Sequence, residues 1–191
     1  TNSTGTGAAS SASASFTPSS HTSFESIATT TVGAGGTKTI TFSSIPQTYK
    51  HLQVRYLIKD TYTTTADWVN IGLSTNSSSS GYIHYINGNG TSISAGAGGW
   101  GYIYFAAPNS HSSLANVFGV GIIDILDYAN TSKNKTFKTF NGLDGNTGNT
   151  IGRITLQSTL QDTTTAISTL TFTGDSNFAQ YTTFALYGVK A

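Results

Sequence analysis

Asp124 and Asp127 form the one closely spaced carboxylate pair at the end of a strong candidate strand. Two carboxylates in one cleft could bind calcium or act as the acid and base of a glycosidase. On a continuing strand, side chains three positions apart lie on opposite faces, so pairing would require a bend at Leu126. An aspartate at a strand end more commonly accepts hydrogen bonds within a turn. We therefore expect structural roles for both carboxylates and predict no catalytic residue.

The other reactive residue types form no recognisable motif. The four histidines lack the short spacing that places two imidazoles on one face, and the chain has no cysteine, so no metal site is predicted. No serine lies in the Gly-x-Ser-x-Gly pattern of a hydrolase nucleophile. The Gly-rich stretches 88–90 and 95–99 lack the Lys-Ser/Thr ending and the helix of a phosphate loop, and we interpret them as loops between strands. These patterns predict neither a cofactor nor an enzyme.

Aromatic residues form the most informative cluster. Tyr82 and Tyr85 precede a Gly-rich loop, Trp100 and Tyr102 follow it, and Trp68 lies upstream. Aromatic rings beside amide side chains stack on sugars, but they also anchor protein interfaces and fill cores. All three alternatives stay open. The candidate glycan or interface contacts are Trp68, Tyr82, Tyr85, Trp100 and Tyr102.

The chain that positions these residues is predicted to be all β. The clearest alternation lies in residues 51–60, where Leu52, Val54, Tyr56 and Ile58 share one face. No stretch combines a 3.6-residue period with capping residues, so almost no helix is expected. About ten short strands separated by polar, Gly-containing turns predict a jelly-roll-like antiparallel β-sandwich over residues 22–191.

Two features predict that neighbouring subunits contribute to stability. Residues 1–21 form a Ser/Ala/Gly/Thr-rich segment whose only large apolar residue is Phe16, and we expect an extended arm lying on another subunit. The run 117–123 is apolar on both faces, which predicts a strand with one face on the core and the other covered by a loop or a partner. Gly119 and Gly121 share one face and would allow a close approach. Phe16, Gly119 and Gly121 are the candidate assembly contacts.

The composition favours a protein that works in an assembly. Charged residues are 9% of the 191 residues, against roughly 25% in an average domain. The surface must therefore be solvated by hydroxyl and amide groups, which meet another surface without a large desolvation penalty. The net charge of +1, with scattered basic residues, predicts no nucleic-acid surface. No apolar run has the length of a membrane span.

Three stretches carry a resemblance to a known group of proteins. They are TITFSSIPQTYKHLQVR at 39–55, NVFGVGIIDILDY at 116–128 and NFAQYTTFALYGVK at 177–190. Each resembles segments of bacteriophage virion proteins, especially those of phages that infect aquatic bacteria. The resemblance spans most of residues 37–190, leaves the arm unmatched and is weaker over residues 66–108. It implies a jelly-roll component of the virion, either a capsid decoration protein or a fibre-like appendage, and it carries no catalytic residues.

The sequence thus predicts a non-enzymatic phage structural protein, displayed on the particle surface as a homo-oligomer, for which we expect a trimer. Its partners would be other copies of itself and other virion proteins. The alternative is a receptor- or glycan-binding module of a tail fibre, whose partner would be a host-surface glycan. Neither function requires a cofactor, a metal, a nucleic acid or a membrane.

Overall fold

The computed structural model describes residues 23–61, 68–77, 80–100, 103–108, 116–145 and 152–190. Twelve β-strands run through these ranges, and none of the residues within them is helical. The strands are β1 Phe24–Thr31, β2 Thr37–Phe42, β3 His51–Ile58, β4 Trp68–Thr75, β5 Gly81–Gly88, β6 Ile93–Trp100, β7 Ile103–Pro108, β8 Gly119–Leu126, β9 Lys135–Asp144, β10 Gly152–Gln161, β11 Leu170–Phe178 and β12 Thr183–Val189. The predicted all-β class is confirmed.

The strands form two antiparallel sheets. The eight-stranded sheet has the order β1-β12-β3-β8-β9-β10-β5-β6, and the four-stranded sheet has the order β2-β11-β4-β7. Four pairs are nested in chain order: β1 with β12, β2 with β11, β3 with β8 and β4 with β7. The jelly-roll-like part of the prediction stays a prediction. The hairpins β5–β6 and β9–β10 widen the larger sheet.

One apolar core lies between the two sheets, which confirms the predicted β-sandwich. The alternation in residues 51–60 directs the four apolar residues of β3 inward, as predicted. Phe172 of β11 and Phe184 of β12 join the sheets, with ring centroids 4.7 Å apart. The ring of Tyr56 in β3 stacks on Phe184, with ring centroids 5.7 Å apart. These aromatic contacts hold the centre of the sandwich.

The inner face of the larger sheet becomes polar where the sheet is widened. The edge strand β7 of the smaller sheet lies over β8, β9, β10 and β5. Thr155 Oγ1 donates a hydrogen bond to Asn87 Oδ1 at 2.8 Å, and Gln157 Nε2 donates to Thr159 Oγ1 at 2.9 Å, so these buried groups satisfy one another. The buried polar layer consists of Asn87, Thr139, Asn141, Thr155, Gln157, Thr159 and Gln161.

The Gly-rich stretch 95–99, interpreted as a loop, is instead part of strand β6. Its glycines lie opposite aromatic residues of β5, with Gly96 paired to Tyr85 and Gly99 paired to Tyr82. A Cβ at Gly96 would lie 2.6 Å from Tyr85 Oη, so the ring occupies the space that a side chain would need. Tyrosine rings thus cover a strand that carries few side chains of its own, which is how aromatic residues rescue glycine in an edge strand.

Gly119 and Gly121 face the interior in β8. A Cβ at Gly121 would lie less than 3.0 Å from Tyr56 Cζ and Oη. The close approach predicted at Gly121 is therefore made by Tyr56 of the same chain rather than by a partner. Gly119 also points inward, and its role as an assembly contact stays a prediction. The third candidate, Phe16, lies with the whole arm outside the described residues, so the arm stays a prediction.

Candidate assembly surface

Large apolar side chains cover the outer face of the eight-stranded sheet. Because successive residues of a strand point to opposite faces, every second residue of this sheet is turned away from the core. Twelve large apolar residues on this face are between 38% and 78% exposed, so no described segment covers them. They are Phe24, Leu57, Tyr82, Ile86, Ile93, Val120, Ile122, Leu126, Phe140, Ile154, Leu156 and Leu160. Tyr181, a further exposed large apolar residue, lies just before β12.

The strand register arranges these side chains in cross-strand rows. From β3 to β6, the first row reads Leu57, Val120, Gly142, Ile154, Gly88 and Ile93. The second row, two residues along each strand, reads Arg55, Ile122, Phe140, Leu156, Ile86 and Ala95. Directly opposite residues in such rows touch through their side chains. We call the eight large residues of these two rows the apolar face: Leu57, Val120, Ile122, Phe140, Ile154, Leu156, Ile86 and Ile93.

A polar row borders the apolar face on one side. From β3 to β5 it reads Gln53, Asp124, Lys138, Ser158 and His84. Gln53 Nε2 donates a hydrogen bond to Asp124 Oδ1 at 2.8 Å, and Lys138 is the partner of Asp124 in β9. The two opposite charges lie side by side, so this border has no net charge.

Arg55 is the only charged residue in the two rows, and its guanidinium is turned towards β12 and β1. Arg55 Cζ lies 5.3 Å from the ring centroid of Tyr187 and 5.6 Å from that of Phe24. Arg55 Nε donates to Gln53 Oε1 at 2.8 Å. The cation is thus held by aromatic rings and an amide at the margin of the apolar face.

Strand β10 shows most clearly how the apolar face arises. Its sequence alternates, and its polar residues Thr155, Gln157 and Thr159 point inward while Ile154 and Leu156 point outward. A strand with one face in water normally has the reverse orientation, with its apolar residues inside. The orientation observed becomes favourable when the outer face is also removed from water.

The two carboxylates at the end of β8 contact different groups. Asp124 accepts the hydrogen bond from Gln53, whereas Asp127 lies in the following turn with a φ of 48°. Hydrogen bonds from Lys133 and Lys50 lower the pKa of Asp127 well below its ordinary value. Lys50 Nζ lies 2.8 Å from Asp127 Oδ1. The two carboxylates therefore bind different partners, and the bend does not bring them together as an acid–base pair.

Two of the three candidate tyrosines, Tyr82 and Tyr85, lie on opposite faces of β5. Tyr82 is 51% exposed on the outer face, and Tyr85 points inward against Gly96. They do not form one stacking platform. Trp68, Trp100 and Tyr102 have side chains outside the described part of the structure, so the glycan contact stays a prediction.

Sequence reasoning identified only part of this surface. The two-sided apolar run 117–123 indicated that Val120 and Ile122 would need cover, and both are exposed on the outer face. The contribution of β9, β10 and β5 was missed, because an alternating strand does not reveal which of its faces is covered. The sequence feature that could have indicated the apolar face is the number of alternating strands. Their combined apolar faces are larger than one core can bury.

Within the ranges that the structure describes, no three His, Asp or Glu side chains lie together as a metal site would require. The same ranges contain no helix with the length and apolarity needed to cross a membrane. No protein-family model, curated protein or solved structure matches the chain.

Proposed function

We propose that this chain is a non-enzymatic structural subunit displayed on the surface of a bacteriophage particle. Through homo-oligomeric contacts it would stabilise or decorate the capsid, or form an appendage. The observation that carries the proposal is the apolar face. A contiguous exposed apolar patch of this size on a soluble protein marks a surface that contacts another macromolecule.

The orientation of β10 supports a permanent rather than an occasional contact. Burying hydroxyl and amide groups costs desolvation free energy, and the hydrogen bonds between these groups offset that cost without adding a net gain. Leaving Ile154 and Leu156 in water loses the stabilisation that burial would give, about 25 cal/mol per Å² of apolar area. A subunit that always has a covered outer face regains that free energy. Strand β10 is therefore suited to a protein that is stable inside an assembly.

The distribution of the sequence resemblance supports a virion role. The three stretches that resemble phage virion proteins include most of β3, β8 and β12, which are adjacent in the eight-stranded sheet. They form the scaffold of the sandwich. The strands that widen the sheet, β9, β10, β5 and β6, lie outside these stretches and carry most of the apolar face. We expect this separation between resembling and non-resembling strands when related virion proteins share a scaffold but make different contacts in different particles.

The proposal is tested on particles of the phage whose genome encodes the chain. Mass spectrometry of particles purified through a density gradient should find the chain at a fixed ratio to the major capsid or tail protein. Immunogold electron microscopy with an antibody against the folded chain should label intact particles at a regular location, and antibody absorbed with the purified chain should not. A chain found in the lysate but absent from purified particles would refute the proposal.

A further inference from the structure

We infer that the apolar face is the surface through which copies of this chain pack against one another. The inference rests on the proposed function, because a subunit with homo-oligomeric contacts needs a defined surface for them. The occupant of the face is a second copy presenting the same face. Three properties of the face support this assignment: its area, its shape and its charge.

The exposed area matches one side of an ordinary protein interface. The eight residues are 38% to 78% exposed, so together they present an apolar area on the order of several hundred Å². This is of the same order as the roughly 800 Å² that each partner buries in a standard interface. Residues 1–21 cannot provide matching cover, because Phe16 is their only large apolar residue. A second eight-stranded sheet supplies an apolar surface of the same extent, since sheets pack face to face through interdigitating side chains.

The shape of the face is suited to contact with itself. In the second row Phe140 and Ile86 project outward, and beside them in the first row lie Gly142 and Gly88. A Cβ at Gly88 would have no atom within 4 Å, so the space above this glycine is open. Each copy therefore presents both projecting side chains and hollows next to them. Two such faces can interdigitate at the density of a protein interior.

The charges of the face and its border allow a copy to approach. The apolar face itself contains no ionisable group, and Arg55 is held at its margin by Phe24 and Tyr187. Asp124 and Lys138 in the polar row are neighbours of opposite sign, so two copies bring together borders without net charge. A border of one sign would repel an identical surface, because like charges in an interface cost several kcal/mol. The observed pattern removes this barrier to self-association.

The inference is tested by the mass of the full chain in solution, measured by sedimentation equilibrium over a wide concentration range. The wild-type chain should have the mass of a dimer, because a face that packs against the same face of another copy forms a twofold pair. Leu156→Lys places an ammonium group in the centre of the face, and we expect it to weaken association by about 100-fold or more, as at an interface hot spot. Leu156 is 42% exposed, so the lysine can reach water in the separated subunit.

Thr39→Lys is the matched control. It introduces the same residue at an exposed strand position, but on β2 of the smaller sheet, away from the apolar face and its polar border. This variant should keep the wild-type mass. A monomeric wild-type chain would overturn the inference, and so would a Leu156→Lys variant that associates as tightly as the wild type. Dissociation by both lysine variants to the same extent would also overturn the assignment to this face.

Cysteine labelling keeps the test decisive if the lysine variant does not fold. Because the chain has no cysteine, Phe140→Cys and Thr136→Cys each introduce a single thiol on the outer face of β9. At high protein concentration a thiol reagent should label position 140 much more slowly than position 136, and dilution should remove the difference. Equal rates at all concentrations would contradict the inference.

The two proposals fail in different ways. A monomeric chain that is present on purified particles would overturn the self-association of the apolar face and leave the virion role standing. An oligomer that Leu156→Lys dissociates, but that is absent from purified particles, would overturn the virion role and leave the self-association of the apolar face standing.

Discussion

Gly121→Ala is expected to destabilise the fold because Tyr56 occupies the space above Gly121. The new Cβ would lie less than 3.0 Å from Tyr56 Cζ and Oη. The ring cannot simply move away, since Tyr56 is 4% exposed and is stacked on Phe184 at 5.7 Å. Inserting a methyl group into such a packed position typically costs about 1–3 kcal/mol, and the rigid ring places this site towards the upper end. We therefore expect Gly121→Ala to lower the free energy of unfolding by about 2–3 kcal/mol.

Urea denaturation of dilute protein, followed by tryptophan fluorescence, measures this change. Gly142→Ala is the control, because a Cβ there would meet its nearest atom at 3.5 Å and point outward, and we expect a change within about 0.5 kcal/mol. In a Tyr56→Ala background the cost of Gly121→Ala should largely disappear, since the clashing ring is gone. If Gly121→Ala is neutral, or if its cost is the same with and without the Tyr56 ring, our account of β8 packing is wrong.

Two further predictions concern charged groups. Lys135 is fully buried, and its ammonium group donates hydrogen bonds to the carbonyl oxygens of Asn130, Lys133 and Thr164. Lys135→Met removes this donor and leaves the three carbonyls without it, so we expect thermal or urea unfolding to show a loss of stability of about 1–3 kcal/mol. The pKa of Asp127 is lowered by Lys133 and Lys50, so its contribution to stability is complete above the ordinary pKa of 3.8 and is lost as the pH falls below it. Asp127→Asn should lack this contribution at neutral pH, and its free energy of unfolding should fall less than that of the wild type between pH 5 and pH 2. If the two proteins lose stability equally on acidification, the ion pairs of Asp127 do not stabilise the fold.

The sequence contained enough information for the fold class and for most strands. The alternation of residues 183–189 predicts a strand with these bounds, and β12 begins and ends at them; β3 closely follows the predicted alternation of residues 51–60. These strands have one strongly apolar face and clear turns, so local pattern and tertiary structure agree. Strand β6 was missed because its alanines and glycines have no alternation of their own, and the rings of Tyr82 and Tyr85 that stabilise it belong to another strand.

The candidate site was only partly predictable, for a related reason. A clean alternation in residues 152–161 predicts a two-faced strand, but its facing depends on which side is covered by other strands and other subunits. An alternating strand with one face in water normally turns its apolar residues to the core, whereas the structure places Thr155 and Gln157 there. The same ambiguity applied to Gly121, whose close neighbour is Tyr56 of the adjacent strand rather than a partner.

The central claim is that the outer face of the eight-stranded sheet is covered by protein in the working assembly. An electron cryomicroscopy reconstruction of the intact particle, at a resolution that shows side chains, tests this claim most directly. Our account predicts that Phe140, Leu156 and Ile86 are buried against an identical face of another copy, with Phe140 or Ile86 seated near Gly142 or Gly88. A reconstruction in which these side chains face open solvent would contradict it.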